Sequence, residues 1–236
     1  MPGEPDQALS RQNHGWLSGL EDRALAWLAP RVPFWVTPDQ LTLLGFAGAV
    51  MAFIGYLLTP GQAAWLWMVN AGLILNWLGD SLDGKVARAR GIARPRYGLF
   101  LDQSIDIIGQ FLFALGLGLS GYVRLDIAAL GLATYLMMTA QGLLRAEVTR
   151  VFHLAAAGMG LTEVRCLFLV ANVVFFFVPP TPFDLAGVTA TYADFFGVIW
   201  IVVNVGLYVL TMVAELRKLA IEEPPRQPTP DEHRRM

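Results

Sequence analysis

The chain has 236 residues, 55% of them hydrophobic and 15% charged, with a formal net charge of -2 and a mean hydropathy of +0.50. A soluble domain of this size carries charge on roughly a quarter of its residues, so the composition excludes an ordinary soluble fold and points to an integral membrane protein. The near-neutral balance, with basic residues gathered in a few clusters, gives no reason to expect nucleic acid as a partner. The single cysteine, Cys166, excludes an intramolecular disulfide and reads as a small apolar residue near a helix end.

Met1 to Asn13 is polar and reads as loose chain. It has no apolar run of signal-peptide type, which leaves targeting to the first span. Trp16, Leu17, Leu20, Ala24, Trp27 and Leu28 then recur at helical spacing opposite Glu21, Asp22 and Arg23. This is the pattern of an amphipathic helix in the membrane interface, or equally of a helix packed on a bundle. Pro30 and Pro33 end it.

Thr37-Pro38-Asp39-Gln40 reads as a helix cap opening a first span, Leu41 to Leu58, and Thr59-Pro60-Gly61 as the turn that closes it. A second span from Ala63, about 20 residues long to match a bilayer core, leaves the hydrocarbon near Asp80 to Asp83, with Asn76 one turn before Asp80 on the same face. Ala89 to Arg96 is a hairpin connection. Tyr97 to Gly121, Ile127 to Leu144, Leu161 to Val178 and Tyr192 to Val213 make spans three to six.

The expected fold is therefore all-α, a polytopic membrane protein with six transmembrane helices and an N-terminal interfacial amphipathic helix. Residues 1–34 form the tail and interfacial helix, 35–218 the six-helix domain, and 219–236 a disordered tail rich in Pro, Glu and Arg. With both termini in the cytoplasm, all 17 Lys and Arg residues except Arg124 lie on the inner side.

The chemistry concentrates in one stretch. Asp80, Asp83, Gly84, Ala87 and Arg88 follow i, i+3, i+4, i+7, i+8 spacing, and Gly98, Asp102 and Asp106 follow i, i+4, i+8, so each set shares a helix face. The short connection between them makes the helices antiparallel and brings the acidic ends to one depth. An ionised Asp there costs roughly 2.5 to 3.5 kcal/mol on insertion scales and marks a functional site. Four converging carboxylates call for divalent cations. An all-oxygen site suits Mg²⁺ or Mn²⁺, and two ions suit displacement at phosphorus. Gly84, Ala87 and Gly98 clear the faces that carry the Asp residues, and Arg88 adds a planar cation suited to phosphate oxygens. Together they read as a diphosphate site. Gly116, Gly118 and Gly121 read as helix-packing points.

Asp80-x-x-Asp83-Gly84-x-x-Ala87-Arg88, then Gly98-x-x-x-Asp102-x-x-x-Asp106, resembles the signature of the CDP-alcohol phosphotransferases at every fixed position. The resemblance implies a six-helix membrane enzyme of phospholipid biosynthesis, commonly a homodimer. Such an enzyme attacks the β-phosphate of a CDP-linked alcohol with an acceptor hydroxyl and releases CMP. It also implies that Asp80, Asp83 and Asp102 are metal ligands, and that Asp106 is the general base and a ligand of the second ion. Asp80, Gly84, Ala87, Arg88 and Gly98 would line the cytidine diphosphate site.

Thr37 to Thr42 looks like the family's opening of the first span, where Asn is usual at the place of Asp39. The change either alters nucleotide or metal contacts or caps the helix. Gln141, Arg145, Glu163 and Arg165 are acceptor-site candidates, with topology charge as the alternative for Arg145 and Arg165, and His153 reads as a surface residue. Gly158 to Glu163 faintly resembles a segment of choline and ethanolamine phosphotransferases. Whether the donor or the acceptor carries the lipid stays open. An intramembrane prenyltransferase and a cation transporter are the competing classes. The former separates its acidic motifs widely, and the latter places carboxylates nearer the midplane on broken helices.

Overall fold

The computed structural model describes residues 10–12, 18–149, 151–153, 161–185 and 187–224. Among the described residues, seven α-helices run in order: α1 Ser18–Leu28, α2 Pro38–Leu58, α3 Trp65–Ala89, α4 Pro95–Leu119, α5 Leu125–Thr149, α6 Leu161–Phe177 and α7 Tyr192–Glu222. Six stand where the six spans were expected. Four of them, α2, α4, α5 and α7, are long and apolar enough to cross a membrane. Helix α3 is diluted by Asn70, Asn76 and Asp80, and α6 has only 17 residues where a bilayer core takes about 20.

The other differences are local. Residues Ser10–Gln12 (β1) pair in parallel with Val151–His153 (β2), so part of the expected loose tail is an edge of a two-stranded ladder. A hairpin of Phe183–Leu185 (β3) and Val188–Ala190 (β4) turns at Gly187, whose φ of +83° suits glycine. Helix α7 continues nine residues beyond Val213 to Glu222 because its mixed Glu-Leu-Arg-Lys sequence still favours helix. Residues 219–222 of the expected disordered tail are therefore helical, and its part from 225 on lies outside the described residues, as does Gly158 to Gly160.

Glycines decide how α2 and α3 meet. A Cβ on Gly79 would stand 2.4 Å from the Gly45 nitrogen and the Leu41 carbonyl, and one on Gly72 2.6 Å from the Gly48 carbonyl. The two antiparallel backbones are in direct contact, which in a membrane substitutes dense packing for hydrophobic drive. The approach lets the Asn76 amide donate to the Gly45 carbonyl at 3.0 Å. Gly116 and Gly118 do serve as packing points, against Tyr56 and Leu125, while Gly121 has φ +79° in the turn after α4.

Helix α1 packs one face on the bundle. Leu25, 1% exposed, joins Ala29, Leu41, Leu82 and Val86 in one apolar cluster, worth roughly 1.5–3 kcal/mol for such a side chain. One oxygen of Glu21 accepts from Trp77 Nε1 at 3.1 Å, Ser81 Oγ at 3.0 Å and Thr162 Oγ1 at 3.0 Å, tying α1 to α3 and α6. Leu20 and Trp27 face outward.

Helices α3 and α6 are antiparallel neighbours, since Asn76 meets Arg165 and Asn70 meets Asn172. Helices α5 and α7 run parallel, with Tyr135 against Trp200 and Arg145 against Glu215. The C-terminal ends of α3, α5 and α7 and the N-terminal ends of α2, α4 and α6 thus share one end of the bundle. Arg124, at the opposite end, pairs with Asp126 and donates its backbone N–H to Asp194.

Candidate active site

The last turns of α3 and the first turns of α4 bring the acidic stripes together. Asp80, Asp102 and Asp106 each present a carboxylate oxygen, and these oxygens lie within 4.8 Å of one another. They share a cleft with Thr42 and Gly45 of α2, Asn76 of α3 and Ile105 of α4. Asp106 is only 9% exposed. Three carboxylates at this separation could hold a divalent ion, and their hard oxygen donors suit Mg²⁺ or Mn²⁺.

Asp83 points elsewhere. Its carboxylate accepts from Thr42 Oγ1 at 2.5 Å and from the backbone N–H of Gly84, and it remains within electrostatic reach of Asp102. Thr42 is therefore a clamp from α2 on the second Asp of the motif. At the next position, the Gly84 backbone is covered by Arg88, whose guanidinium would lie 3.2 Å from a Cβ at Gly84. Gly98 is exposed, with open space where a side chain would stand, and Ala87 is half-buried.

Asp39 neither caps α2 nor enters the cleft. Thr37 is the cap, its hydroxyl accepting from the Gln40 N–H while the Gln40 side chain accepts from the Thr37 N–H. Asp39 instead takes Arg94 in a two-oxygen contact at 2.6 and 2.7 Å, which raises the Arg94 pKa above its ordinary value. Arg94 also lies over the Tyr97 ring at 4.0 Å. The acid therefore ties the start of α2 to the connection between α3 and α4.

The four acceptor candidates separate. Arg165, 7% exposed, reaches from α6 into the acidic cleft: its Nη2 is 2.7 Å from Asp80 and 3.8 Å from Asp106, and its Nε donates to Asn76 Oδ1 at 2.9 Å. Gln141 bonds Thr211 and the Tyr208 carbonyl of α7, and Arg145 pairs with Glu215 at 2.5 Å. Buried atoms of that pair, Arg145 Nε and Glu215 Oε2, have no hydrogen-bond partner. Glu163 lies half-buried in the first turn of α6. The sequence reading quoted Thr42 only as the end of the first span's opening and gave it no role at the site, and it missed Glu215, which no spacing in the chain links to the motif. It also missed Tyr135, which lies within electrostatic reach of Arg165, Asp106 and Asp80. Asn76 was signalled by its place one turn before Asp80.

Comparison with known proteins agrees with this geometry. A family model described as CDP-alcohol phosphatidyltransferase matches residues 35–212. The chain is 35% identical over 99 residues to archaetidylinositol phosphate synthase of Pyrococcus horikoshii, covering 41% of this chain and 48% of that protein. It is 35% identical over 106 residues to phosphatidylinositol phosphate synthase of Cutibacterium acnes, covering 44% and 46%. To human cholinephosphotransferase 1 it is 33% identical over 96 residues, covering 38% and 23%. The chain thus spans less than half the length of each of these relatives. With the matched region running from the cap of α2 into α7 and enclosing both acidic stripes, this integral membrane protein belongs to the CDP-alcohol phosphatidyltransferase family.

Proposed function

We propose that the protein transfers a substituted phosphate group from a CDP-linked alcohol to the hydroxyl of an acceptor alcohol, releasing CMP, as a step of phospholipid biosynthesis. The observation that carries this is the convergence of Asp80, Asp102 and Asp106, from the two halves of one motif, in one cleft. Asp80, Asp83, Asp102 and Asp106 would hold Mg²⁺ or Mn²⁺, two ions in all, whose chemistry when bound is to neutralise the diphosphate and the oxygens entering and leaving phosphorus.

The chain's own groups do the rest. Asp106, the most buried of the three converging carboxylates, takes the acceptor hydroxyl proton as general base. The acceptor oxygen bonds to the β-phosphorus, the bond from that phosphorus to the bridging oxygen breaks, and CMP leaves with the electron pair. Arg88 meets the phosphate oxygens, and Asp80, Gly84, Ala87 and Gly98 line the nucleotide. Phosphoryl transfer is mostly positioning and charge neutralisation, and the contact between α2 and α3 gives the carboxylates a rigid wall. Gln141, Arg145 and Glu163 are the acceptor contacts, with Arg165 joining them from the carboxylate side. The clustering of basic residues at the site's end of the bundle supports a cytoplasmic active site and cytoplasmic termini. A homodimer is proposed on the same family resemblance.

The test is CMP release by purified protein in detergent or lipid with Mg²⁺ or Mn²⁺. The donors are CDP-diacylglycerol, CDP-choline, CDP-ethanolamine and CDP-inositol, each with candidate acceptors. Metal-dependent release from one donor establishes the reaction and shows which partner carries the lipid. Folded protein that releases no CMP from any donor and binds none of them refutes the reading.

A further inference from the structure

Among the described residues, Arg165 is the cation that reaches Asp80 and Asp106 in the cleft. A guanidinium buried to this degree needs partners, and its Nε and Nη2 have them. Nη2 lies on Asp80 and faces Asp106, while Nε is held by Asn76 Oδ1. The Asn76 amide is itself oriented, because its Nδ2 donates to the Gly45 carbonyl. The fork is therefore fixed from α2, α3 and α4 together, and it rests on two of the three carboxylates that converge in the cleft.

We propose that Arg165 is a resident cation that sets the divalent-ion affinity of the carboxylate cluster and couples ion uptake to arrival of the anionic diphosphate. This rests on the phosphotransferase reading above. Asp80, Asp102 and Asp106 bring three carboxyl groups into the space of one ion, and Arg165 supplies one positive charge beside them before any ion is taken up. A divalent ion entering beside it meets repulsion that, at about 5 Å, exceeds a tenfold effect even with the screening of bulk water. The ion is then held tightly only when the diphosphate supplies compensating negative charge, and by linkage the nucleotide is held tightly only with the ion. Toward the ion, Arg165 acts through the carboxylates as a positioning residue, a role separate from the acceptor contact given to it above.

The experiment is an equilibrium titration of Mn²⁺ into purified full-length protein in detergent, with free Mn²⁺ read by electron paramagnetic resonance, with and without CDP. Wild-type protein binds Mn²⁺ weakly alone and more tightly with CDP. Arg165→Gln, and Arg165→Met as a second neutral variant whose stem fills the same packing space, bind Mn²⁺ alone at least about tenfold tighter. Both show a smaller enhancement by CDP. Arg165→Lys keeps the charge and stays within about threefold of wild type. Folded neutral variants with unchanged or weaker Mn²⁺ binding overturn the proposal and leave Arg165 as an anchor of α6. Wild-type protein that binds no Mn²⁺ with or without CDP removes the metal-dependent reading itself, a result visible before any variant is made.

Discussion

Gly79→Ala puts the α2–α3 contact to a direct test. The new Cβ would stand 2.4 Å from the Gly45 nitrogen and the Leu41 carbonyl and 2.5 Å from the Gly45 Cα, all backbone atoms that cannot rotate away. Restoring ordinary contact moves α3 outward by about 1 Å, and overpacking of this kind costs about 1–3 kcal/mol. The same shift stretches the Asn76–Gly45 hydrogen bond from 3.0 Å to about 4 Å, beyond bonding range, and adds about 1 kcal/mol. Asp80, the next residue, moves with the helix, and a 1 Å misplacement at a reacting centre can lower turnover about 100-fold. Gly45→Ala, whose nearest contacts would be 3.2 Å, should be milder, and Gly206→Ala, with nothing within 4 Å, should be neutral or slightly stabilising. Thermal melting in detergent and CMP release are the measurements. Gly79→Ala protein that melts and turns over like Gly206→Ala would show that the backbones are not in contact, and the account of the site's rigid wall would fall with it.

Asp106→Asn should lower turnover by about 10²–10⁴-fold with donor binding, measured by equilibrium dialysis of a CDP-alcohol, largely retained; undiminished CMP release would take the base role from Asp106. Thr42→Val removes the donor to Asp83, and should cost about 1–2 kcal/mol in melting experiments and weaken Mn²⁺ binding by freeing that carboxylate from its set orientation. Asp39→Asn breaks the exposed contact with Arg94, so any fall in melting temperature should vanish at about 0.5 M salt, where the Debye length is only a few ångströms; a salt-independent loss would mean that Asp39 acts inside the cleft. Asn172→Leu strands the buried Tyr56 hydroxyl and Asn70 amide and should cost about 2 kcal/mol or more, while Mn²⁺ binding at the far end of the bundle is retained.

The helices and the Asp stripes were legible because both depend on local spacing. Apolar runs of fixed length mark the spans, and i, i+4, i+8 spacing puts Gly98, Asp102 and Asp106 on one face whatever the rest of the chain does. The Thr37 cap was legible for the same reason, since its partner Gln40 is three residues away. What crosses between helices was not. The Thr42 clamp on Asp83 and the Arg165 pair with Asp80 join residues 41 and 85 positions apart, and hydrophobic periodicity carries no information on such pairs. The Asp39 contact was misassigned because helix capping and a tertiary ion pair use the same residue type at a helix start. Helix α7 outran its expected end because hydropathy marks where a helix leaves the membrane, and propensity lets it continue into water.

Helix α6 shows how the unreadable contacts create the site. It is short and its surface is largely apolar, so packing alone would allow it to slide or rotate against α3. Two polar pairs prevent that: Asn172 donates to Asn70 at 2.9 Å, and two turns nearer the site Arg165 donates to Asn76 at 2.9 Å. Asn172 also accepts from Tyr56 at 2.9 Å and Asn76 donates to Gly45, so both fixtures extend to α2. A slip of one residue would turn Asn172 and Arg165 by about 100° and break both pairs at once, leaving a buried amide and a buried guanidinium unsatisfied. Interhelical hydrogen bonds in membranes are individually modest, yet the cost of losing the arginine's partners is large, so the register is specified by the charge rather than by the apolar contacts. The cation that fixes where α6 sits is the same one that bears on Asp80 and Asp106, and the position of the sixth helix is thereby tied to the charge state of the cleft.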